Sequence, residues 1–261
     1  MSRSLAELSL PEVARCVSPT SIIVLPIGAV EAHGPHLPLS TDLEIASHAV
    51  STLATTHGES LDLWTLPPIG FSKSNEHAWA PGTIWLSSKT MLAVFDDIGR
   101  SLATLATKKI VFVNAHGGNS ALLQVVCRDL RLAYGLQTFL AHPFTSTNEG
   151  NEFGMGIHGG HDETSMMMHI RPDLVHVEKA VRAIPEHLAQ NRAVKWGGPV
   201  SFGWLSSDFE SDPEPGVLPV GVIGDGTGAT AAHGKVLWEQ VLDSLAIACD
   251  EIRLWDPKRS S

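Results

Sequence analysis

The segment from residue 22 to residue 42, IIVLPIGAVEAHGPHLPLSTD, decides the fold because it joins an apolar run to a group of polar side chains. Ile22 to Pro26 form a continuous apolar run of the kind that makes a buried strand. Side chains that commonly bind zinc, manganese or ferrous iron follow it: Glu31, His33, His36 and Asp42. Residues two apart in an extended segment point the same way, so Glu31 and His33 can face one point. The segment predicts a metal site at the end of a strand, and the alternative is a solvated polar turn.

Apolar periodicity predicts that strands and helices alternate along the chain. The strands are expected at residues 21–27, 61–66, 109–113 and 137–141. Helices are expected up to about Val17, from Asp42 to near Gly58, after Ser87 or Ser88, up to Tyr134, around Met166 to Ile170, and from Thr227 to Leu254. This alternation favours an α/β fold with a mainly parallel sheet covered on both faces. We expect one domain over residues 1–261, with a surface loop at residues 197–224.

Composition narrows the possible partners and the compartment. The chain has 261 residues, 43% hydrophobic and 18% charged, with a net charge of −10. Such a charge disfavours nucleic acid and anionic membranes as partners. The sequence shows neither a signal peptide nor an apolar run of the ~20 residues that a membrane span needs, which predicts a cytoplasmic protein. Three scattered cysteines argue against a disulfide framework.

A second polar cluster follows the third predicted strand. His116 stands there before two glycines, which allow close approach of the backbone to an ion or substrate. Parallel sheets bind ligands at the carboxyl ends of their strands, so His116 should meet Glu31 and His33 at one edge. His158 repeats the His-Gly-Gly pattern and is expected to be a metal ligand or an acid–base group. Glu163 either completes the shell of a second metal or caps the following helix.

Three further polar side chains are candidates for contacts to substrate or to metal-bound imidazoles: His36, Glu76 and His77. Other common catalytic signatures are missing from the sequence. The glycine-rich run from Gly224 to Gly228 lacks the lysine and spacing of a P-loop, and no Gly-x-Gly-x-x-Gly follows the first strand. No Gly-x-Ser-x-Gly elbow of a serine hydrolase is present.

The motifs that carry a family resemblance are Leu25–Pro38, Thr41-Asp42, Glu76-His77, Pro81-Gly82-Thr83, Val113–Asn119, His158-Gly159-Gly160, Glu163-Thr164-Ser165 and Gly221–Asp225. In this order, the chain resembles the creatininase (creatinine amidohydrolase) family over nearly its whole length. The resemblance implies a three-layer α/β/α fold, usually assembled into hexamers, with a two-metal amidohydrolase site. By similarity, Glu31, Asp42 and His116 hold one ion. His33 and Asp42 hold the other, so that Asp42 bridges the two.

The resemblance also implies differences from creatininase itself. Gly118 stands where creatininase has a glutamate ligand, and Gly154 stands where it has a substrate-contacting tryptophan. Glu163 or water must then complete the second ion's shell. His158 matches the family's proposed catalytic histidine, and Ser74 matches a substrate-contact serine. The His-Gly-Gly-Asn version at residues 116–119 is shared with formylaminopyrimidine-nucleotide deformylases and with the peptidase that trims the mycofactocin precursor.

These features predict metal-assisted hydrolysis of a C–N bond in a cyclic amide, formamide or short peptide. Two divalent ions (zinc, manganese or iron) per chain would activate water and polarise the carbonyl group. His158 would pass a proton to the leaving nitrogen, with Glu163 as a second catalytic candidate. The alternatives are a deformylase-like or peptidase-like relative, a non-catalytic module that binds a small molecule, and a metal isomerase or lyase.

Overall fold

The computed structural model describes residues 3–144, 152, 154–194, 200, 203–209 and 220–256. Its strands are β1 (Ile22–Ile27), β2 (Leu63–Thr65), β3 (Lys109–Asn114), β4 (Gln137–Ala141), β5 (Arg182–Ala183) and β6 (Gly224–Asp225). Its α-helices are α1 (Leu10–Cys16), α2 (Thr41–His57), α3 (Ser88–Leu102), α4 (Ser120–Tyr134), α5 (His161–Ile170), α6 (Glu186–Ala189) and α7 (Ala231–Arg253). Short 3-10 turns connect several of them, including Asn75–His77 and Gly117–Asn119. The predicted surface loop at residues 197–224 falls mostly outside the described residues.

Four parallel strands form the main sheet in the order β2-β1-β3-β4. Strand β1 is buried along its whole length, as the apolar run predicts. Its alternate side chains enter different cores: Ile22 and Val24 pack with α2, α5 and α7, whereas Ile23 and Leu25 pack with α3 and α4. The sheet therefore lies between two helical layers, and the predicted α/β fold class is confirmed.

Sequence signals at the helix ends correspond closely to the structure. The capping box of Ser9 and Glu12 begins α1. Ser87 caps α3 by accepting a hydrogen bond from Thr90, and Gly135 ends α4 with a φ of 68°. The last helix begins at Ala231 and not at residue 227, because Thr230 accepts a hydrogen bond from the backbone of His233 and caps it there.

Cysteine and methionine side chains contribute to the packing of the core. Cys249 is buried, Cys16 and Cys127 pack partly buried against the core, and all three are free thiols. Met166 and Met167 are core residues. Strands β5 and β6 pair as a small antiparallel sheet that the sequence did not predict. None of the described helices is long and apolar enough to cross a bilayer. That residues 1–261 form one domain stays a prediction.

Candidate metal centre

The centre is assembled where the main sheet meets the first turn of α2. The loop after β1 carries Glu31 and His33, the loop after β3 carries His116, and the first turn of α2 carries Asp42. A Cβ at Gly28 would lie 2.5 Å from backbone atoms of the α2 residue that follows Asp42. Only glycine allows the end of β1 to pass this close to the helix. The expected meeting of these side chains at the carboxyl edge of the sheet is observed.

Glu31, Asp42 and His116 form a buried triad. The His116 Nδ1 atom lies 3.2 Å from Glu31 Oε1 and 3.1 Å from Asp42 Oδ2. Neither carboxylate oxygen has a hydrogen-bond partner among the described residues. The opposite nitrogen, His116 Nε2, donates to the carbonyl of Lys73 at 2.8 Å, which leaves the lone pair of Nδ1 facing the two carboxylates in the neutral ring. Three acceptors aimed at one point are the arrangement that a cation fits.

His33 presents a second set of ligand atoms beside the triad. Its Nδ1 bonds to the carbonyl of Glu31 at 3.1 Å, and its Nε2 lies 3.2 Å from Asp42 Oδ1 and 3.7 Å from Glu163 Oε1. The other Glu163 oxygen accepts from the backbone N–H of Gly159 at 2.7 Å. Glu163 bonds to the backbone just before α5 and also faces His33. Its place in the shell of a second metal stays a prediction.

His158 stands over this second set. Its Nε2 donates to the carbonyl of Ala32 at 2.6 Å, and its Nδ1 lies 3.7 Å from Glu31 Oε1. The ring lies 4.2 Å from that of His33 and 4.1 Å from that of His77, measured between centroids. Ligand atoms of His33, His158 and Glu163 lie within 4.8 Å of one another, as do those of Glu31, Asp42 and His116. The geometry thus contains two adjoining groups that could hold a metal.

The electrostatics divide the histidines into two classes. Burial alone lowers the pKa of His33 and of His116, but the neighbouring carboxylates raise both pKa values well above the usual range. Burial and the nearby His33 lower the pKa of His158. The pKa of His77 is also lowered, by burial and by the adjacent His158. Burial alone would raise the pKa of Asp42, but His33 and His116 stabilise its charged form and lower its pKa.

Glu76 holds His116 from the side away from the triad. Its Oε1 lies 3.3 Å from His116 Nε2, and its Oε2 pairs with Lys73 Nζ at 3.0 Å. Although burial opposes ionisation, His116 and Lys73 lower the pKa of Glu76 to about 2. A Cβ at Gly118 would lie only 1.7 Å from Glu76 Oε1. The carboxylate of Glu76 therefore needs a glycine at position 118.

A cavity of about 190 Å³ opens onto the centre. Seven of the predicted site residues line it: Glu31, Asp42, Glu76, His77, His116, His158 and Glu163. Ser74 lies behind the cavity wall and donates to Glu31 Oε2. His36 bonds to Thr164 at 3.0 Å, on α5. His33 also lies behind the wall. The substrate roles of Ser74 and His36 stay predictions.

Four polar or aromatic side chains in the lining were not selected from the sequence: His142, Phe144, Asp162 and Trp204. His142 follows the carboxyl end of β4, so the rule that selected His116 could also have selected it. Asp162 lies two residues after the His158-Gly159-Gly160 motif. Phe144 and Trp204 carry no local signal, because they reach the cavity from irregular segments.

Comparison of the sequence with known proteins shows the family to which this chain belongs. The family model described as creatinine amidohydrolase (Creatininase) matches residues 6–249. The chain belongs to the creatininase family. The mycofactocin precursor peptide peptidase of Mycobacterium tuberculosis is 34% identical to this family member over 243 residues, which cover 91% of this chain and 88% of the relative. The creatinine amidohydrolase of Pseudomonas putida is 29% identical over 69% of this chain and 77% of its own.

The fold comparison agrees with the family assignment. A creatininase variant solved in complex with creatine superposes with a TM-score of 0.73 and 24% identity, covering 97% of this chain and 99% of that one. At that identity the likeness shows the fold alone. Together with the family match, it confirms the predicted creatininase-like architecture. The named relatives are hydrolases, which confirms the prediction of a hydrolase.

Proposed function

We propose that this creatininase-family chain is a metal-dependent hydrolase that cleaves a C–N bond in a short peptide. The observation that carries the proposal is the triad of Glu31, Asp42 and His116. Two buried carboxylate oxygens and one imidazole nitrogen converge there, and no hydrogen-bond donor lies between them when the imidazole is neutral. Burying such acceptors unpaired is costly, and a divalent ion removes that cost.

The donor set supports a proposal of two ions. Glu31, Asp42 and His116 would hold the first, and His33, Asp42 and Glu163 the second, with Asp42 shared. Zinc, manganese and ferrous iron all accept carboxylate and imidazole ligands of this kind. When bound, such ions would lower the pKa of a water molecule and polarise a substrate carbonyl group. Gly118 contributes no ligand, and Glu163 is the side chain that supports the second position in its place.

His158 is the proposed acid–base residue. Its Nε2 is held by the carbonyl of Ala32, so Nδ1 is the atom that faces the cavity. A lowered pKa keeps the ring neutral near pH 7, with an unprotonated Nδ1. This atom would take a proton when water attacks and return it to the leaving nitrogen. His77 stacks on the ring and fixes its orientation.

The substrate class rests on the relatives and on the cavity. Peptidases that act on the mycofactocin precursor match more than nine-tenths of this chain, at 31–34% identity. Phe144 and Trp204 give the cavity apolar walls beside the acidic Glu76 and Asp162. About 190 Å³ suits one end of a peptide better than a large ligand. A cyclic amide is the second candidate, because creatinine amidohydrolase is also a relative.

Metal analysis joined to a substrate screen tests the proposal. Purified protein should contain up to two divalent ions per chain and should release amine from short peptides, cyclic amides or formamides. Asp42→Ala should lose both metal and hydrolysis. Hydrolysis by a metal-free sample would defeat the mechanism, whereas bound metal without any released amine or formate would favour an isomerase, a lyase or a binding module.

A second variant separates the two possible roles of His158. If the side chain transfers protons, His158→Gln should keep the metal content and lose roughly 10²–10⁴-fold in turnover. Loss of a metal ion from this variant would instead make His158 a ligand. Gel filtration and light scattering would test the homo-oligomer, a hexamer by family resemblance. The cytoplasmic location likewise stays a prediction.

A further inference from the structure

A separate group of ligand-type side chains lies between α5 and α7. His161 and Asp162 occupy the first turn of α5, and His233 occupies the first turn of α7. The exposed fractions of their side chains are 8%, 19% and 10%. One ligand atom from each lies within 4.8 Å of the others. None of these three side chains belongs to the two groups described above, although Asp162 also lines the cavity, so this group requires its own explanation.

The orientation of His161 creates an unfavourable contact whenever its imidazole is neutral. Its Nε2 donates to the carbonyl of Gly228 at 3.1 Å, which leaves Nδ1 with a lone pair. That lone pair lies 3.5 Å from Asp162 Oδ1, which is itself an acceptor. Two acceptors at this distance, one buried and one partly buried, repel each other unless a proton or a metal ion lies between them.

The third side chain completes a set of metal-ligand type. His233 Nε2 lies 2.8 Å from the same Asp162 oxygen, and its ring centroid lies 5.0 Å from that of His161. Ligand atoms about 2.0–2.1 Å from a tetrahedral ion are separated by about 3.3 Å. The contact to His161 already has this spacing, and the contact to His233 needs to open by about half an ångström. The carbonyl of Gly228 provides the orienting acceptor that metal-bound imidazoles have.

We propose that His161, Asp162 and His233 form a further site for one divalent ion of the zinc type. The ion would join the first turns of α5 and α7. Because Glu163 follows Asp162 on α5, the same ion would fix the helix turn that carries a side chain of the candidate metal centre. Two imidazoles and a carboxylate are a frequent ligand set for zinc.

Metal stoichiometry of the full-length protein tests this site. Wild type, His233→Gln and the control His57→Gln would be dialysed against zinc and analysed for bound metal. His57 is exposed near the end of α2, so its variant should match wild type. We expect His233→Gln to bind one equivalent of zinc fewer per chain and to gain less in thermal midpoint on addition of zinc. Equal stoichiometry in all three proteins would overturn the proposal.

Crystallography of the wild-type protein provides a second measurement, which does not require any variant to fold. Wild-type crystals soaked in zinc should show an anomalous peak within about 2.3 Å of His161 Nδ1, Asp162 Oδ1 and His233 Nε2. A protonated His161 that bonds directly to Asp162, without such a peak, would refute the site. The outcome is independent of the candidate metal centre, whose ions would give their own peaks beside Asp42.

Discussion

Replacing Gly118 by alanine tests how the imidazole of His116 is held. The added methyl carbon would lie 1.7 Å from Glu76 Oε1 and 2.5 Å from His116 Nε2. Non-bonded heavy atoms prefer about 3.5 Å or more, so the Glu76 carboxylate must retreat by well over an ångström. That movement breaks its 3.3 Å contact with His116. Overpacking of this kind costs about 1–3 kcal/mol, and a lost hydrogen bond to a charged group about 1.5–3 kcal/mol.

Part of this cost should appear as weaker metal binding, because His116 is a proposed ligand. Loss of an orienting partner typically lowers metal affinity about 10–100-fold, and we expect Gly118→Ala to fall in that range. Competition for zinc or manganese against a chromophoric chelator measures the change directly.

Gly117→Ala is the matched control for this measurement. It adds the same methyl group one residue earlier, where a Cβ would meet nothing within 4 Å. Its metal affinity should stay within about twofold of wild type. Glu76→Ala should weaken metal binding to a similar degree as Gly118→Ala, and the double variant should be little worse than Glu76→Ala alone. A folded Gly118→Ala protein that binds metal as tightly as wild type would refute the role assigned to Glu76.

Three further results are expected. Carboxylates raise the pKa values of His33 and His116 above the unfolded value of about 6.5, so their stabilisation of the metal-free protein is full below pH 6.5 and declines as the pH rises through the folded pKa values. Urea unfolding with a chelator should show this decline, and a flat profile would contradict it. Ser74→Ala leaves Glu31 without its hydroxyl donor and should weaken metal binding roughly tenfold in the same competition assay. Phe95→Ala, in the fully buried core, should lower the free energy of unfolding by about 3–5 kcal/mol, measured by urea titration, and a loss under 1 kcal/mol would show that the site repacks.

The periodicity of apolar residues and the residues at helix ends predicted the fold well, because both kinds of signal depend on local sequence. The apolar run at residues 22–27 is long enough to be a buried strand, and the alternation with amphipathic helices leaves few topologies other than a parallel sheet. The same topology then brought Glu31 and His116 together from distant parts of the sequence. The small β5–β6 pair was missed because two-residue strands carry no period.

The side-chain arrangement was less predictable, since it depends on contacts between distant loops. Sequence placed Glu76 among possible substrate contacts, but only the structure shows it against His116, with Gly118 leaving room for it. His161 was also not selected from the sequence. Its nearness to His233 arises from the packing of α5 on α7, which no local pattern encodes.

The charges at the centre link the binding of metal ions to the protonation of its histidines. Glu31, Asp42 and Glu163 bring three carboxylates into a largely buried space, while Glu76 is offset by Lys73. One divalent ion leaves an excess negative charge among the three, and two ions leave an excess positive charge that an anionic or polarised substrate group can meet. Because buried charge is costly unless it is matched, the metal-free protein must instead hold protons on its histidines, as the raised pKa values of His33 and His116 indicate. Metal ions and protons therefore compete for the same nitrogens. A carboxylate at position 118 would cancel the excess positive charge of a two-ion centre, whereas Gly118 would leave that charge for the substrate.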